Sequence, residues 1–239
     1  RDLHLSIRRQ RQMCIRYSRS DKPDVEYSIQ GMARDCVAVL DDAGITKAHV
    51  VGASMGGLIA LELALSHHER VASLILCCTN CGWGGQTPLA YRVVVRLFLR
   101  SLLHGALSNK LSREALGLFF TGNFIEKEWE LLNQLWKRSS KYPTPIYAYR
   151  RQLNALLRYS VCDRLSQIPV PVLVLGGDGD RHNPVNRLKE LADKIPKAQL
   201  HIYHGLGHGF IIEVRDDVAR RIQNFITQSQ VCTTCLLDS

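Results

Sequence analysis

Val50-Val51-Gly52-Ala53-Ser54-Met55-Gly56-Gly57 decides the reading of this chain. Apolar residues run into a Gly-x-Ser-x-Gly pentapeptide, and a helix-forming stretch follows. Ala48–Ala53 reads as a buried strand and Met55–Leu65 as a tightly packed helix. A serine on so sharp a strand-to-helix turn must accept strained backbone angles. Small neighbours at both glycine positions relieve the crowding, so that its hydroxyl stands clear of the sheet. The helix that follows aims its N-terminus at the same spot, where an oxyanion is stabilised. The backbone N–H of Met55 is the expected oxyanion donor. An inert serine in a Gly-rich turn is the bland reading of the same residues.

Outward from this turn, strand and helix patterns alternate, which predicts a mostly parallel sheet covered on both faces. Residues 12–17 read as a short strand. Ser28 reads as the N-cap of a helix through Ala43, with Met32, Cys36, Val39 and Leu40 on one face and Gly44 ending it. Val71–Cys78 reads as a second buried strand. From about Gly82 to Gln167 only helical patterns appear. Alternation resumes with a strand at Val170–Gly176, a helix at Pro184–Lys194, a strand at Gln199–His204 and a helix at Glu213–Gln228. The predicted organisation is a core of residues 1–82 and 168–239 with a helical cap insertion at 83–167.

A serine nucleophile needs a base, and the base needs an orienting acid. After this kind of turn the chain order is serine, acid, histidine. Gly176-Gly177-Asp178-Gly179-Asp180 supplies two acids at a strand end, and residue type alone leaves both Asp178 and Asp180 open. His204-Gly205-Leu206-Gly207-His208 follows the last strand. His208 is the candidate base, on a Gly-flanked loop, with His204 as the alternative. His67, His68, His182 and His201 read as surface or packing residues.

The 239 residues are 46% hydrophobic and 22% charged, which is ordinary globular composition. That excludes bulk disorder. No apolar run reaches the roughly 18 residues of a membrane-spanning helix. No signal-peptide pattern opens the sequence, and a soluble, cytoplasmic protein is expected. The net charge of +9 is uneven. Residues 1–20 are net +5 and residues 83–168 net +8, whereas 21–82 are net −4. No nucleic-acid motif accompanies the basic arm, so nucleic acid is not an expected partner. Arg92, Arg96 and Arg100 fall four residues apart beside apolar residues, which suits a cap helix able to touch an anionic membrane surface weakly. Trp83, Trp129 and Trp136 are expected to pack the cap or line its pocket. Two C-x-x-C pairs, Cys78/Cys81 and Cys232/Cys235, lack the turn residues of a zinc site. Reduced structural thiols are expected instead, with no metal and no cofactor.

Together these stretches resemble the α/β-hydrolase superfamily, in its esterase and lactonase branch, with aclacinomycin methylesterase-like and enol-lactonase-like enzymes as the nearest flavour. The matching segments are Ser18–Pro23, Tyr27–Asp35, Ala48–Leu58, Val170–Pro184 and His204–Phe210. The resemblance implies an α/β-hydrolase fold with a helical cap. In relatives a G-x-x-D loop before a proline carries the acid. Gly177-Asp178-Gly179-Asp180 with Pro184 matches it, so the resemblance selects Asp180. It implies a triad of Ser54, Asp180 and His208 acting on a small-molecule ester or lactone. Relatives also carry first strands and a His-Gly loop with a second oxyanion N–H. Only about a dozen residues precede the stretch at 12–35 that the relatives match, so the first strands are expected to be missing. A chain truncated in that way and left non-catalytic, serving as a binding protein, is the alternative expectation.

Overall fold

The computed structural model describes residues 21–82, 113–142 and 144–235, the last six of these by backbone only. The chain divides into two compact units, one drawn from Arg1–Thr46 and Gly82–Ser160, the other from Lys47–Cys81 and Val161–Ser239.

The second unit holds a four-stranded, all-parallel sheet in sequential order: β1 (Ala48–Ala53), β2 (Val71–Cys77), β3 (Val172–Gly177) and β4 (Gln199–Tyr203). Parallel strands require crossovers, and helices supply them. The α2 helix (Met55–Ser66) follows β1, and α7 (Val185–Lys194) joins β3 to β4. The α8 turn (Phe210–Glu213) and α9 (Arg215–Cys235) follow β4. Helices cover both faces. On one, Ala60 of α2 approaches Gly52 and Leu188 of α7 lies over Gly176. On the other, Ile75, Cys77, Leu173, Leu175 and Tyr203 pack with Phe210, Val218 and Phe225. The strands are nearly continuous apolar runs because both faces are dry. Glu62, buried on α2, is neutralised by Arg164 at 2.9 Å.

The described residues of the first unit are mainly helical. Its α1 helix (Ile29–Asp42) begins where the sequence predicts, with Ser28 Oγ accepting the Gly31 N–H at 3.0 Å, and Gly44 follows it at φ +65°. Met32 is buried, but Cys36, Val39 and Leu40 on the predicted apolar face are only half-buried. The insertion between β2 and β3 contains α3 (Arg113–Leu116), α4 (Gly122–Lys127), α5 (Trp129–Ser140) and α6 (Ile146–Arg158). Leu116, Ile125 and Leu132 form a small core with Trp129, whose ring also carries the Arg113 guanidinium at 5.0 Å. Arg151 of α6 pairs with Asp24 and Arg158 with Glu26, which fastens the segment before α1 to this helix. Such exposed pairs are worth about 1 kcal/mol or less each.

Within the described residues the sheet has fewer amino-terminal strands than the family resemblance calls for. The terminal helix runs to Cys235, so the Cys232/Cys235 pair lies on helix. The expectation of reduced cysteines is overturned at one pair. Cys81 and Cys162 form a disulfide rather than staying reduced, because the chain leaving β2 and the chain approaching β3 bring their Cα atoms to 4.9 Å. Cys36, Cys77 and Cys78 are free thiols. No helix among the described residues is long and apolar enough to cross a membrane. The proposed strand at 12–17, Trp83 and the basic stripe of Arg92, Arg96 and Arg100 lie outside the described residues.

Candidate active site

Ser54 is the single residue between β1 and α2, at φ 53° and ψ −121°. That conformation costs a non-glycine residue on the order of 1–3 kcal/mol and persists only where its surroundings impose it. Three hydrogen bonds do so. The Ser54 N–H donates to Cys77 O at 2.9 Å, and its carbonyl accepts from Gly57 N at 2.9 Å and Thr79 Oγ1 at 2.8 Å. Sterics complete the clamp. A Cβ on Gly52 would stand 2.4 Å from Gly56 O, and one on Gly57 would stand 2.5 Å from the Thr79 side chain. A Cβ on Gly56 would meet nothing within 4 Å. The crowding expected at Gly56 therefore falls on its neighbour, because Thr79 approaches the helix there. Met55 begins the 12-residue α2 helix, whose first-turn N–H groups have no carbonyl acceptor within the helix.

The carboxyl ends of β3 and β4 bring two Asp–His pairs together. Asp180 Oδ2 meets His208 Nδ1 at 2.7 Å, with the acid fully buried and the histidine side chain 11% exposed. Asp180 Oδ1 accepts the backbone N–H groups of His182 at 2.7 Å and Asn183 at 3.0 Å. Asp178 Oδ2 meets His204 Nδ1 at 2.9 Å, with that histidine 88% exposed. Asp178 Oδ1 accepts Gly205 N–H at 2.7 Å. The hydrogen bond to His204, then the one from Gly205, hold the Asp178 carboxyl below its ordinary range. The loop after β4 crosses close to β3, where a Cβ on Gly177 would stand 2.1 Å from Leu206 O. That close passage sets His208 against Asp180.

A polar bridge joins the serine turn to the acid loop through the chain after β2. Thr79 holds Ser54 O. Asn183 Nδ2 donates to Cys78 O at 2.8 Å, and Asn80 donates to Asn183 Oδ1. Asn183, Asn80 and Thr79 are all buried, so each bond is made where water cannot replace it. Reading by residue type misses these three. Their signal is position only, at strand ends flanking the motif loops. Cys78, at φ 42°, is buried beside them. Burial, then Cys77 and Asp180, push its thiol well above the usual range, which keeps it protonated and unreactive.

Two groups of side chains have metal-ligand types. Cys81 and Cys162 stand near Glu190, but their sulfurs are bonded to each other. Asp180, His182 and His208 lie together, and there both Asp180 oxygens already accept hydrogen bonds from the chain. Neither donor set fits a metal better than it fits its present partners.

The family described as alpha/beta hydrolase fold matches residues 16–213. A 2-hydroxy-6-oxo-6-phenylhexa-2,4-dienoate hydrolase of Burkholderia cepacia is 30% identical over 198 residues, covering 81% of this chain and 68% of that protein. The crystal structure of the enol-lactonase from Burkholderia xenovorans superposes with a TM-score of 0.73 at 25% identity, over 89% of this chain and 78% of the other. Est816, an N-acyl homoserine lactone degrading enzyme, superposes with a TM-score of 0.69 at 29% identity, over 88% and 79%. With the parallel sheet, the helical insertion and a match spanning most of its length, this chain belongs to the alpha/beta hydrolase fold family.

Proposed function

We propose that this protein is a serine hydrolase that opens a carboxylic ester or lactone through an acyl-enzyme. The observation that carries the reading is the buried Asp180–His208 contact of 2.7 Å at the same carboxyl edge of the sheet as the strained Ser54. Ser54 Oγ attacks the carbonyl carbon while His208 Nε2 takes the hydroxyl proton. Asp180 holds Nδ1, fixing the tautomer and offsetting the imidazolium charge. The tetrahedral oxyanion forms against the Met55 N–H. On its collapse, the C–O bond to the leaving alcohol breaks and His208 returns the proton to that oxygen. Water then attacks the acyl carbon with His208 again as base, releasing the acid and restoring Ser54. Asp178, paired with an exposed histidine, is a surface partner in this scheme.

The lactone and ester classes draw support from the relatives named for enol-lactone and acyl homoserine lactone chemistry. The acting protein needs no cofactor in this mechanism. The test is hydrolysis of a p-nitrophenyl acyl ester and of a simple lactone, with Ser54→Ala as control. Turnover that disappears with Ser54→Ala supports the reading. Turnover unchanged in Ser54→Ala would refute it.

A further inference from the structure

His182 has no part in the scheme so far, yet it touches both members of the inner pair. Its backbone N–H donates to Asp180 Oδ1 at 2.7 Å. Its ring packs on the ring of His208, with centroids 4.8 Å apart and planes tilted by 47°. Its Nδ1 stands 3.8 Å from Asp180 Oδ1, beyond hydrogen-bonding distance. The ring therefore lies against the acid and the base without taking the carboxylate from His208.

Among the described residues, Asp180 is the carboxylate that both rings face. Two imidazolium ions side by side in a water-poor site would repel strongly. Burial, and then the charge on His208, push His182 down to about 4, with Asp180 pulling the other way. His182 thus stays neutral while His208 exchanges its proton. The remaining ionisable groups around Asp180 do not disturb this. Cys78 is held protonated by burial, and Asp178 and His204 are paired with each other.

We propose that His182 is a positioning residue, an aromatic wall that fixes the ring of His208 against Asp180 and keeps water from the pair. The proposal rests on His208 being the base of the serine hydrolase reading. Removing the wall hydrates His208, and water stabilises imidazolium, so the base titrates at higher pH. A phenyl ring in its place restores the wall and carries no proton. A merely structural residue would not move the proton equilibrium of its neighbour in this direction.

The experiment follows the His208 ring by NMR titration in the full chain, for the native protein, His182→Ala and His182→Phe. Ester turnover and fluorophosphonate labelling of Ser54 are measured on the same samples. His182→Asn serves as a second, less disruptive truncation should the alanine variant fold poorly. The expected result is about a tenfold gain in proton affinity of His208 in the truncations, the equivalent of one pH unit. Their kcat falls about tenfold, with KM unchanged. In His182→Phe both values return to within twofold of native. A native titration in both truncations, or a phenylalanine variant shifted as far as the alanine one, overturns the proposal. Absence of Ser54 labelling in the native chain would instead remove the serine hydrolase reading, and the ring titration would still decide the role of His182.

Discussion

β1 and β3 each end in a loop of the candidate site, but they deliver it in different ways. β3 is central, paired on both sides, and all six of its residues are buried. Its acid, Asp180, inherits that rigidity. Within the described sheet β1 is an edge strand, and Val51 in its middle is 54% exposed. Ser54 is nonetheless held in a strained conformation. The clamp is local, made of Cys77 O, Thr79 Oγ1 and the close Gly52–Gly56 and Gly57–Thr79 approaches. A precisely held serine therefore does not require a deeply buried strand. It requires a neighbouring strand end that holds the turn, and here β2 and the chain after it supply that.

The sharpest break between the two halves comes at the acids. Asp180→Asn is expected to lower kcat by about 10⁴, as loss of the orienting carboxylate does in serine triads. Asp178→Asn is expected to stay within a few-fold of native, since its partner His204 is exposed. Steady-state kinetics on the pair decides it. Next is the disulfide, which closes a loop with a sequence separation of 81 beside β2 and β3. Chain-entropy arguments put such a cross-link at about 4 kcal/mol. Reduction, or Cys162→Ser, should then lower Tm by roughly 10 °C in a chain of this length. Mass spectrometry of alkylated peptides gives the oxidation state directly.

Packing changes follow in size. Leu175→Ala in β3 is expected to cost about 2–5 kcal/mol in a urea melt. Gly52→Ala should cost about 1–3 kcal/mol by overpacking against backbone, and it should also lower reactivity at Ser54. Val51→Ala on the exposed side of β1 should change stability by about 0.5 kcal/mol or less. Equal losses at Leu175 and Val51 would erase the contrast between the strands. A smaller effect tracks pH. Burial, and then the charge on His208, push His182 down to about 4 in the folded chain, below the ordinary histidine range that it regains when unfolded. The unfolded state thus takes up more protons in that window, and stability falls as pH drops from about 6.5 toward 4. His182→Phe should flatten that part of a Tm–pH curve.

Much of this was legible in the sequence, for identifiable reasons. Gly-x-Ser-x-Gly between an apolar run and a helix leaves few backbone solutions, so β1, Ser54 and α2 follow from it. The four strands fall within a residue or two of their apolar runs. The two candidate acids were harder to tell apart, because Asp178 and Asp180 share a loop and a residue type. What separates them is burial, and burial depends on how the loop after β4 crosses Gly177. The disulfide was hidden because C-x-x-C spacing drew attention to near neighbours, while Cys81 meets a partner across the whole insertion. Gly57 was hidden because its crowding comes from Thr79, 22 positions downstream. Asn80, Asn183 and His182 carry no motif at all. Their roles arise only when strand ends from separate parts of the chain converge.

The most direct test of the central claim is labelling of the full chain with a fluorophosphonate probe, with Ser54→Ala as control. A single adduct on Ser54 that vanishes in Ser54→Ala and weakens sharply in Asp180→Asn is the predicted result. A folded native protein that remains unlabelled, or one labelled equally well without Ser54, would contradict it.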